Sequence, residues 1–336
     1  MSARRKWPRF PPRRAQRGIA LLVAILLVAL GTILAAAVAY ENAMTARRGT
    51  ATFAFDQSVL VAEGGEALAA YGLRTIHQSD PTHTYPGQGW EKPVGPMEVV
   101  PGVMLEGSLE DMQGRFNLNN LVNKDGTPDP VNVAAFTQLL VAVGLEPKWT
   151  GFVIDWIDAD IVPQNPEGAE DSVYMGQTPP YRTANRYITS ASELLALPGF
   201  GRDRYVAIAP YVTALPQGTK INLCSAKGVV LDSFIGSSHS EFGAGAGVDA
   251  NGAPTDTLSK NRLASSGCTP TLAQYQAAFD PKAWTASVSN KFGQASQYFL
   301  LKSFITIGST EFNLYSLLYQ DQTGAVRPIQ RSFTSN

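Results

Sequence analysis

Arg17-Gly18-Ile19-Ala20-Leu21-Leu22-Val23 opens the stretch that decides the fold of this 336-residue chain. No charged residue occurs over the twenty-one positions from Ile19 to Ala39. Ahead of that run stand Arg4, Arg5, Lys6, Arg9, Arg13, Arg14 and Arg17, with no acid among them. At about 1.5 Å per residue the run covers roughly 31 Å, one hydrocarbon core. The cations on its N-terminal flank predict that this end stays on the cytoplasmic side of a bilayer. Three readings are open on these residues. The run is a secretory signal ending at Ala37-Val38-Ala39, or an uncut anchor, or a long apolar helix behind a basic leader that ends at Gly18. It is longer than the apolar region of about 7–15 residues usual in a secretory signal.

Beyond Ala39 the pattern stays helical, with Phe55, Val59, Ala62, Glu66, Ala69 and Leu73 at spacings of three and four. The spacing predicts one helix of roughly 55 residues, far above the globular norm. Gly49, Gly64, Gly65 and Gly72 are its weak points. From His77 to Pro101 the chain is rich in Pro and Gly and reads as loop with short extended pieces. A strand is predicted over Val103–Asp111, then helices over Val131–Val143, Thr150–Ile157, Ser190–Leu197 and Arg202–Tyr211. Strand character returns at Val229–Leu231, Tyr298–Thr306 and Phe312–Tyr319, the last leading through Asp321-Gln322-Thr323-Gly324 as in a hairpin. This order predicts an α+β fold: a long N-terminal helix packed on an antiparallel sheet, with a large all-α domain inserted.

The junction at Gly18 and Ile19 resembles a type IV pilin leader, in which a basic peptide is cut just before the apolar helix. Downstream, Gly114-Arg115-Phe116-Asn117-Leu118-Asn119-Asn120-Leu121, then Asp155-Trp156-Ile157-Asp158-Ala159-Asp160, Gly168-Ala169-Glu170-Asp171 with Tyr174, Pro180-Tyr181-Arg182 with Asn185, and Ser192-Glu193-Leu194 resemble, in that order, the central block of K-type minor pseudopilins of the type II secretion system. Lys220-Ile221-Asn222-Leu223 resembles that family's returning strand, with Cys224 where Asn is expected. The likeness runs from the leader to about Ala226, and the last hundred residues share only a strand pattern. It implies a leader over 1–18, a transmembrane and amphipathic pilin helix over 19–76, and the first part of a pilin-like domain over 77–115. An inserted helical domain over 116–216 and a return to the pilin-like domain over 217–336 follow. Most pilins carry Glu as the fifth mature residue, where this chain has Val23. A carboxylate buried in an apolar filament core is costly without a neighbour's amino terminus to pair with, so its loss suits a terminal subunit.

The resemblance implies a subunit of the pseudopilus tip complex that promotes pseudopilus assembly for protein export. Its partners would be I-type and J-type minor pseudopilins, with a prepilin peptidase acting at Gly18. It also implies one pass through the bacterial inner membrane and a periplasmic body. Without the leader, 20 basic residues face 28 acidic ones, which disfavours a nucleic-acid partner.

Between Asp155 and Asp171 stand six acids and no base: Asp155, Asp158, Asp160, Glu167, Glu170 and Asp171. Such crowding is relieved by water or by a shared hard cation. The spacing is not that of an EF-hand, and composition by itself favours a solvated loop. The resemblance implies Ca²⁺, with Asp158, Asp160, Glu170 and Asp171 as ligands, Glu167 as an extra donor and Asp155 as a helix-face or capping residue. Glu193–Gly201 has the form of a helix-hairpin-helix turn. Only Arg202 and Arg204 lie near it beside Asp203, which favours helical packing over phosphate binding. No catalytic residues are assigned: His77, His83 and His239 sit in no metal motif, and neither a Gly-x-Ser-x-Gly elbow nor a Walker loop occurs. The competing reading is a membrane-anchored periplasmic calcium-dependent hydrolase that uses the carboxylates. Cys224 and Cys268 form either one disulfide, closing a loop around the Gly/Ser-rich stretch from Gly236 to Thr257, or two buried thiols.

Overall fold

A computed structural model describes residues 17–236, 241–243, 257–264 and 267–334. The leader residues 1–16, His239 and most of the Gly/Ser-rich stretch lie outside the described residues. Helix α1 spans Arg17–Ser79 without a break. An 18-residue window within it reaches a mean hydropathy of 2.9 with none of it buried, which fits a single-pass membrane anchor. The chain divides into two compact units after Gln57: the first is the N-terminal part of α1, the second everything from Ser58 onward.

In the second unit the predicted helical periodicity becomes packing. Ala62, Glu66 and Leu73 are buried, and Gly65 lets the helix approach the sheet, its missing Cβ facing Leu105 and Ser303 at 3.5–3.7 Å. The sheet has five antiparallel strands in the order β1 (Val94–Val100), β2 (Val103–Asp111), β7 (Tyr298–Ile307), β8 (Thr310–Gln320) and β9 (Val326–Ser332). Strand β2 pairs with β7 from Val103–Ile307 to Asp111–Phe299, so sequence-distant segments lie side by side at the centre. Two apolar clusters join helix to sheet: Ala62 with Val103, Leu105, Ile305 and Leu314, and Leu73 with Trp90, Phe299, Leu301 and Leu318. Each fully buried Leu or Phe contributes about 2 kcal/mol. A polar clamp completes the contact. Buried Glu66 accepts Arg331 Nε at 2.8 Å, Arg331 Nη2 at 2.6 Å and Ser316 Oγ at 2.6 Å.

Everything between β2 and β7 forms the insert. Its order is β3 (Phe116–Asn117), α2 (Pro130–Ala142), α3 (Trp149–Ile157), α4 (Asp171–Tyr174), α5 (Gly201–Ile208), β4 (Val212–Thr213), β5 (Ile221–Asn222), α6 (Gly228–Ile235), α7 (Thr257–Ala264), α8 (Leu272–Ala277), α9 (Ala286–Ser289) and β6 (Phe292–Gly293). The Asn-rich turn after β2 acts as a staple. The Asn119 side chain donates to the carbonyls of Ile188 and Leu215 and accepts from Ile188 N, all at 2.8 Å, while Asn117 accepts from Leu215 N at 3.0 Å. These bonds draw together segments 69 to 98 residues apart.

Four sequence expectations are corrected. The insert does not end at residue 216: one core runs from Phe116 through Ile221, Leu223, Leu231 and Tyr275 to Phe292, and the sheet is rejoined only at Tyr298. The expected returning strand does form at Ile221–Asn222, but it pairs in parallel with β6 inside the insert. Val229-Val230-Leu231 is helix α6 rather than strand, because Val230 and Leu231 are buried against this core and tertiary packing outweighs a β-branched preference. The insert is also not purely helical, since β3–β4 and β5–β6 are two short parallel pairs.

Cys224 and Cys268 are joined by a disulfide, with Cα atoms 4.6 Å apart. Arg262 knits the same region, donating to the carbonyls of Thr269 at 2.7 Å and of Ala226 and Leu223 at 2.6 Å.

Candidate metal centre

The acidic block folds around the end of α3. Trp149, Val153, Ile154, Trp156 and Ile157 bury this short helix in the insert core, and Asp158 follows as its C-terminal cap residue. The chain then loops out through exposed Asp160 and returns at Glu170, immediately before α4. Asp155 holds the loop closed. Its buried carboxylate accepts Gln164 N at 3.0 Å and Ala169 N at 2.6 Å, one bond on each arm. Two glycines permit this closeness. A Cβ on Gly168 would overlap Asp155 Oδ2 and Gln164 N, and one on Gly151 would overlap the Glu167 carbonyl.

Closure brings Asp158, Asp160 and Glu170 together, each offering a carboxylate oxygen within 4.8 Å of the others. Asp158 and Glu170 are 2% and 3% exposed, so this is not a water-filled acidic surface. Both Asp158 oxygens and Glu170 Oε1 are buried and make no hydrogen bond of normal geometry. Thr183 Oγ1 approaches the other Glu170 oxygen at 3.4 Å, and Asp160 Oδ1 accepts Val162 N at 2.7 Å. No Lys or Arg forms an ion pair with the three among the described residues.

The electrostatics follow from that deficit. Burial, then the charges of Asp160, Asp155 and Glu170, push the Asp158 carboxyl up to about 7, and the Gln164 side chain offsets only part of this. Burial and the Asp155 charge push Glu170 up to about 7 against the opposing Thr183 hydroxyl. Burial lifts Asp155 to about 6, although its two backbone donors pull the other way. Buried carboxylates in native proteins normally find donors or a positive charge. Three oxygen-only groups converging with no cation paired to them, and with three of their buried oxygens left without a hydrogen bond, have the chemistry of a hard-cation site.

Asp171 does not join them, although the sequence reading placed it among the ligands. It opens α4, its Oδ1 accepts Thr183 N at 3.2 Å and Thr183 Oγ1 at 3.1 Å, and its Oδ2 faces Arg182 at 3.7 Å. Those local donors hold its side chain outside the cluster. Glu167 is exposed on the loop and likewise lies outside it. Asp155 was expected on a helix face or at a cap; it instead braces the loop across nine and fourteen residues, a role that its two glycine neighbours in space make possible. Sequence reasoning gave no role to Asn185 beyond its motif. Its side chain donates to the Asp160 carbonyl at 3.2 Å, and its backbone is left-handed, with φ +45°.

The other sequence candidates are absorbed locally. Arg204 Nη1 donates to the carbonyls of Gly199 and Phe200 in the hairpin turn, so this arginine stabilises the turn itself. His83 Nδ1 lies 3.2 Å from Asp80 in a solvated loop. Val23 is 51% exposed on α1.

Residues 114–217, which contain the cluster, match the family described as type II secretion system (T2SS), protein K. Type II secretion system protein K of Pseudomonas aeruginosa is 35% identical over 228 residues, which are 65% of this chain and 68% of that protein. The protein of the same name from Pectobacterium carotovorum is 36% identical over 213 residues, 61% of this chain and 64% of the relative. A chain in the crystal structure of a GspK-GspI-GspJ complex from enterotoxigenic Escherichia coli shares the fold, with a TM-score of 0.70 at 21% identity. That match covers 86% of this chain and all of the other.

Proposed function

Because this chain belongs to the type II secretion system protein K family, whose members are minor pseudopilins, we propose that it stands in the pseudopilus tip complex. There it joins I-type and J-type minor pseudopilins and promotes assembly of the filament that drives protein export across the outer membrane. The observation that carries this is the pairing of a membrane-length apolar helix with a large insert on a pilin-like sheet. The first gives a filament-packing element. The second adds bulk that a subunit adding above it would meet. The shared fold with a chain from a K–I–J complex supports the choice of partners.

In this reading prepilin peptidase cuts after Gly18, Ile19 becomes the first mature residue, α1 anchors the subunit in the inner membrane, and the body lies in the periplasm. Val23 leaves the filament-core position without a charge that would need a neighbour. Asp158, Asp160 and Glu170 hold Ca²⁺, with carbonyl and water oxygens completing the six to eight donors this ion takes. The ion would neutralise the buried carboxylates and fix the loop to α3 and α4. The role is structural, and no residue is assigned to catalysis. The cavity beside the loop, about 660 Å³ and lined by Thr137, Glu146, Thr150 and Gln164, does not include the three carboxylates.

Mapping the mature N-terminus and co-purifying the tagged mature subunit with its I- and J-type counterparts tests the assignment. An N-terminus at Ile19 and a stable three-subunit complex are expected. An N-terminus at Tyr40 or an uncut Met1, with no complex formed, would overturn it.

A further inference from the structure

Between helix α1 and the β1–β2 side of the sheet lies a cavity of about 340 Å³ whose walls are almost wholly carbon, Leu68, Ile76, Trp90, Met97 and Leu301 among them. Small residues create it. Gly65, Ala69 and Gly72 line it from the helix at spacings of four and three, and Gly107 and Ser303, paired in register on β2 and β7, line it from the sheet. Two of these glycines are not demanded by close packing. A Cβ on Gly72 would meet nothing within 4 Å, and one on Gly107 only ordinary neighbours at 3.8 and 3.9 Å. Glycine inside a helix or a strand is destabilising relative to alanine, so the volume stays open at the expense of stability.

Polar groups in the same walls point to what the volume holds. Ser303 is 1% exposed, and its hydroxyl makes no hydrogen bond. Buried hydroxyls ordinarily find a partner, and Gly65 across from this one has no side chain to offer. Lys92 also lines the cavity, is exposed, and forms no ion pair among the described residues. The neighbouring Glu91 is turned instead to the Gly87 and Gly89 amides, at 3.0 and 3.1 Å.

We propose that this cavity binds a free fatty acid of medium length that carries a hydroxyl toward its far end, with the carboxylate at Lys92, the hydrocarbon along the apolar walls and the hydroxyl on Ser303 Oγ. The volume falls within the roughly 300–1,000 Å³ of small-ligand sites, which are likewise apolar with a few placed polar groups. Val94, two residues after Lys92, pairs with Gly107, and Gly107 pairs with Ser303, so two strand spacings, about 10 Å, separate the polar ends. A hydrocarbon chain of that length connects them. A hydroxyl both donates and accepts, so it satisfies Ser303 where a plain alkyl chain leaves it bare. An apolar side chain from another protein would fill the space and leave both Ser303 and Lys92 without a partner.

The test titrates the full mature chain in phosphatidylcholine nanodiscs, with empty nanodiscs as the blank, using decanoate and ω-hydroxydecanoate in a calorimeter. A diazirine analogue of decanoate, with adducts mapped by mass spectrometry, locates the site. Saturable binding is expected, with adducts within 68–76 and 90–97 and with ω-hydroxydecanoate about three- to tenfold tighter than decanoate. Ser303→Ala should erase that preference and leave decanoate within about twofold of the parent. Lys92→Met should weaken both acids at least about fivefold. Gly72→Leu should fill the cavity and abolish binding while melting no lower than the parent, since leucine is the better helix former. Equal affinity for the two acids, or a preference that survives Ser303→Ala, would overturn the ligand class. Non-saturable binding, adducts elsewhere, or full affinity in Gly72→Leu would overturn the site itself. Loss of labelling on addition of I- and J-type subunits would also overturn it, because the cavity would then be part of a subunit contact.

Discussion

Replacing Asp158 by Asn removes one charge from the acidic cluster while keeping its size, and it should stabilise the protein in the absence of a divalent cation. In the fold the Asp158 carboxyl is moved from an ordinary 3.8 up to about 7 by burial and by Asp160, Asp155 and Glu170. At about 1.4 kcal/mol per tenfold change in proton affinity, ionising it inside the fold costs roughly 4 kcal/mol relative to the unfolded chain. Part of that belongs equally to Glu170, so about 2–4 kcal/mol is recovered when the charge is removed. For a body of this size about 1 kcal/mol shifts the melting temperature by about 2 °C, so Asp158→Asn should melt about 4–8 °C higher at pH 8 in chelator. With Ca²⁺ at a hundredfold excess over its dissociation constant the parent should gain about 2.7 kcal/mol by mass action, and the variant little of it. Scanning calorimetry of the mature chain in detergent, with EDTA or CaCl₂ at constant ionic strength, gives both numbers. A variant that melts lower in EDTA and keeps the full Ca²⁺ gain would refute the reasoning, because Asp158 would then be a satisfied structural residue.

Without a cation the body should lose stability as pH rises from about 4 to 7. Asp155, Asp158 and Glu170 have folded values raised to about 6, 7 and 7, so their contribution is full below the unfolded carboxylate range and is lost as the folded groups ionise. Saturating Ca²⁺ should flatten or invert that slope, since the ion binds the deprotonated groups; denaturant melts at several pH values read it. Gly168→Ala should destabilise by about 2–3 kcal/mol and weaken Ca²⁺ binding, because the methyl group drives Asp155 and Gln164 apart and opens the loop. A wild-type-like melt and titration for that variant would show that the loop gives way freely. Arg331→Met leaves buried Glu66 with Ser316 as its side-chain donor among the described residues, and should cost about 2 kcal/mol and loosen β9, seen as faster amide exchange in Val326–Ser332.

Much of the architecture was legible because it is written in short-range patterns. The uncharged run from Ile19 to Ala39 and the three-four spacing to Leu73 gave α1, whose observed span is Arg17–Ser79. The alternating strands at 103–111, 298–306 and 312–319 became β2, β7 and β8. The insert's true end was not legible. Ile221–Asn222 reads as a strand locally, and only its pairing with Phe292–Gly293 shows that it belongs to the helical body. Val229-Val230-Leu231 misled for a related reason, since its helical state is set by burial against residues far along the chain.

The sequence by itself determined that this chain has a membrane-length helix, an α+β body and a block of six acids without a base, because charge, hydropathy and period are properties of neighbouring residues. Only the tertiary structure decided which acids meet. Asp158, Asp160 and Glu170 converge because Asp155 and two close-packed glycines fold the loop back, while Asp171, one residue from Glu170, is held away by Thr183 and Arg182. A cation site depends on where oxygens lie in space and on the donors they lack, and both are fixed by contacts across nine to twenty-five residues that linear spacing does not encode.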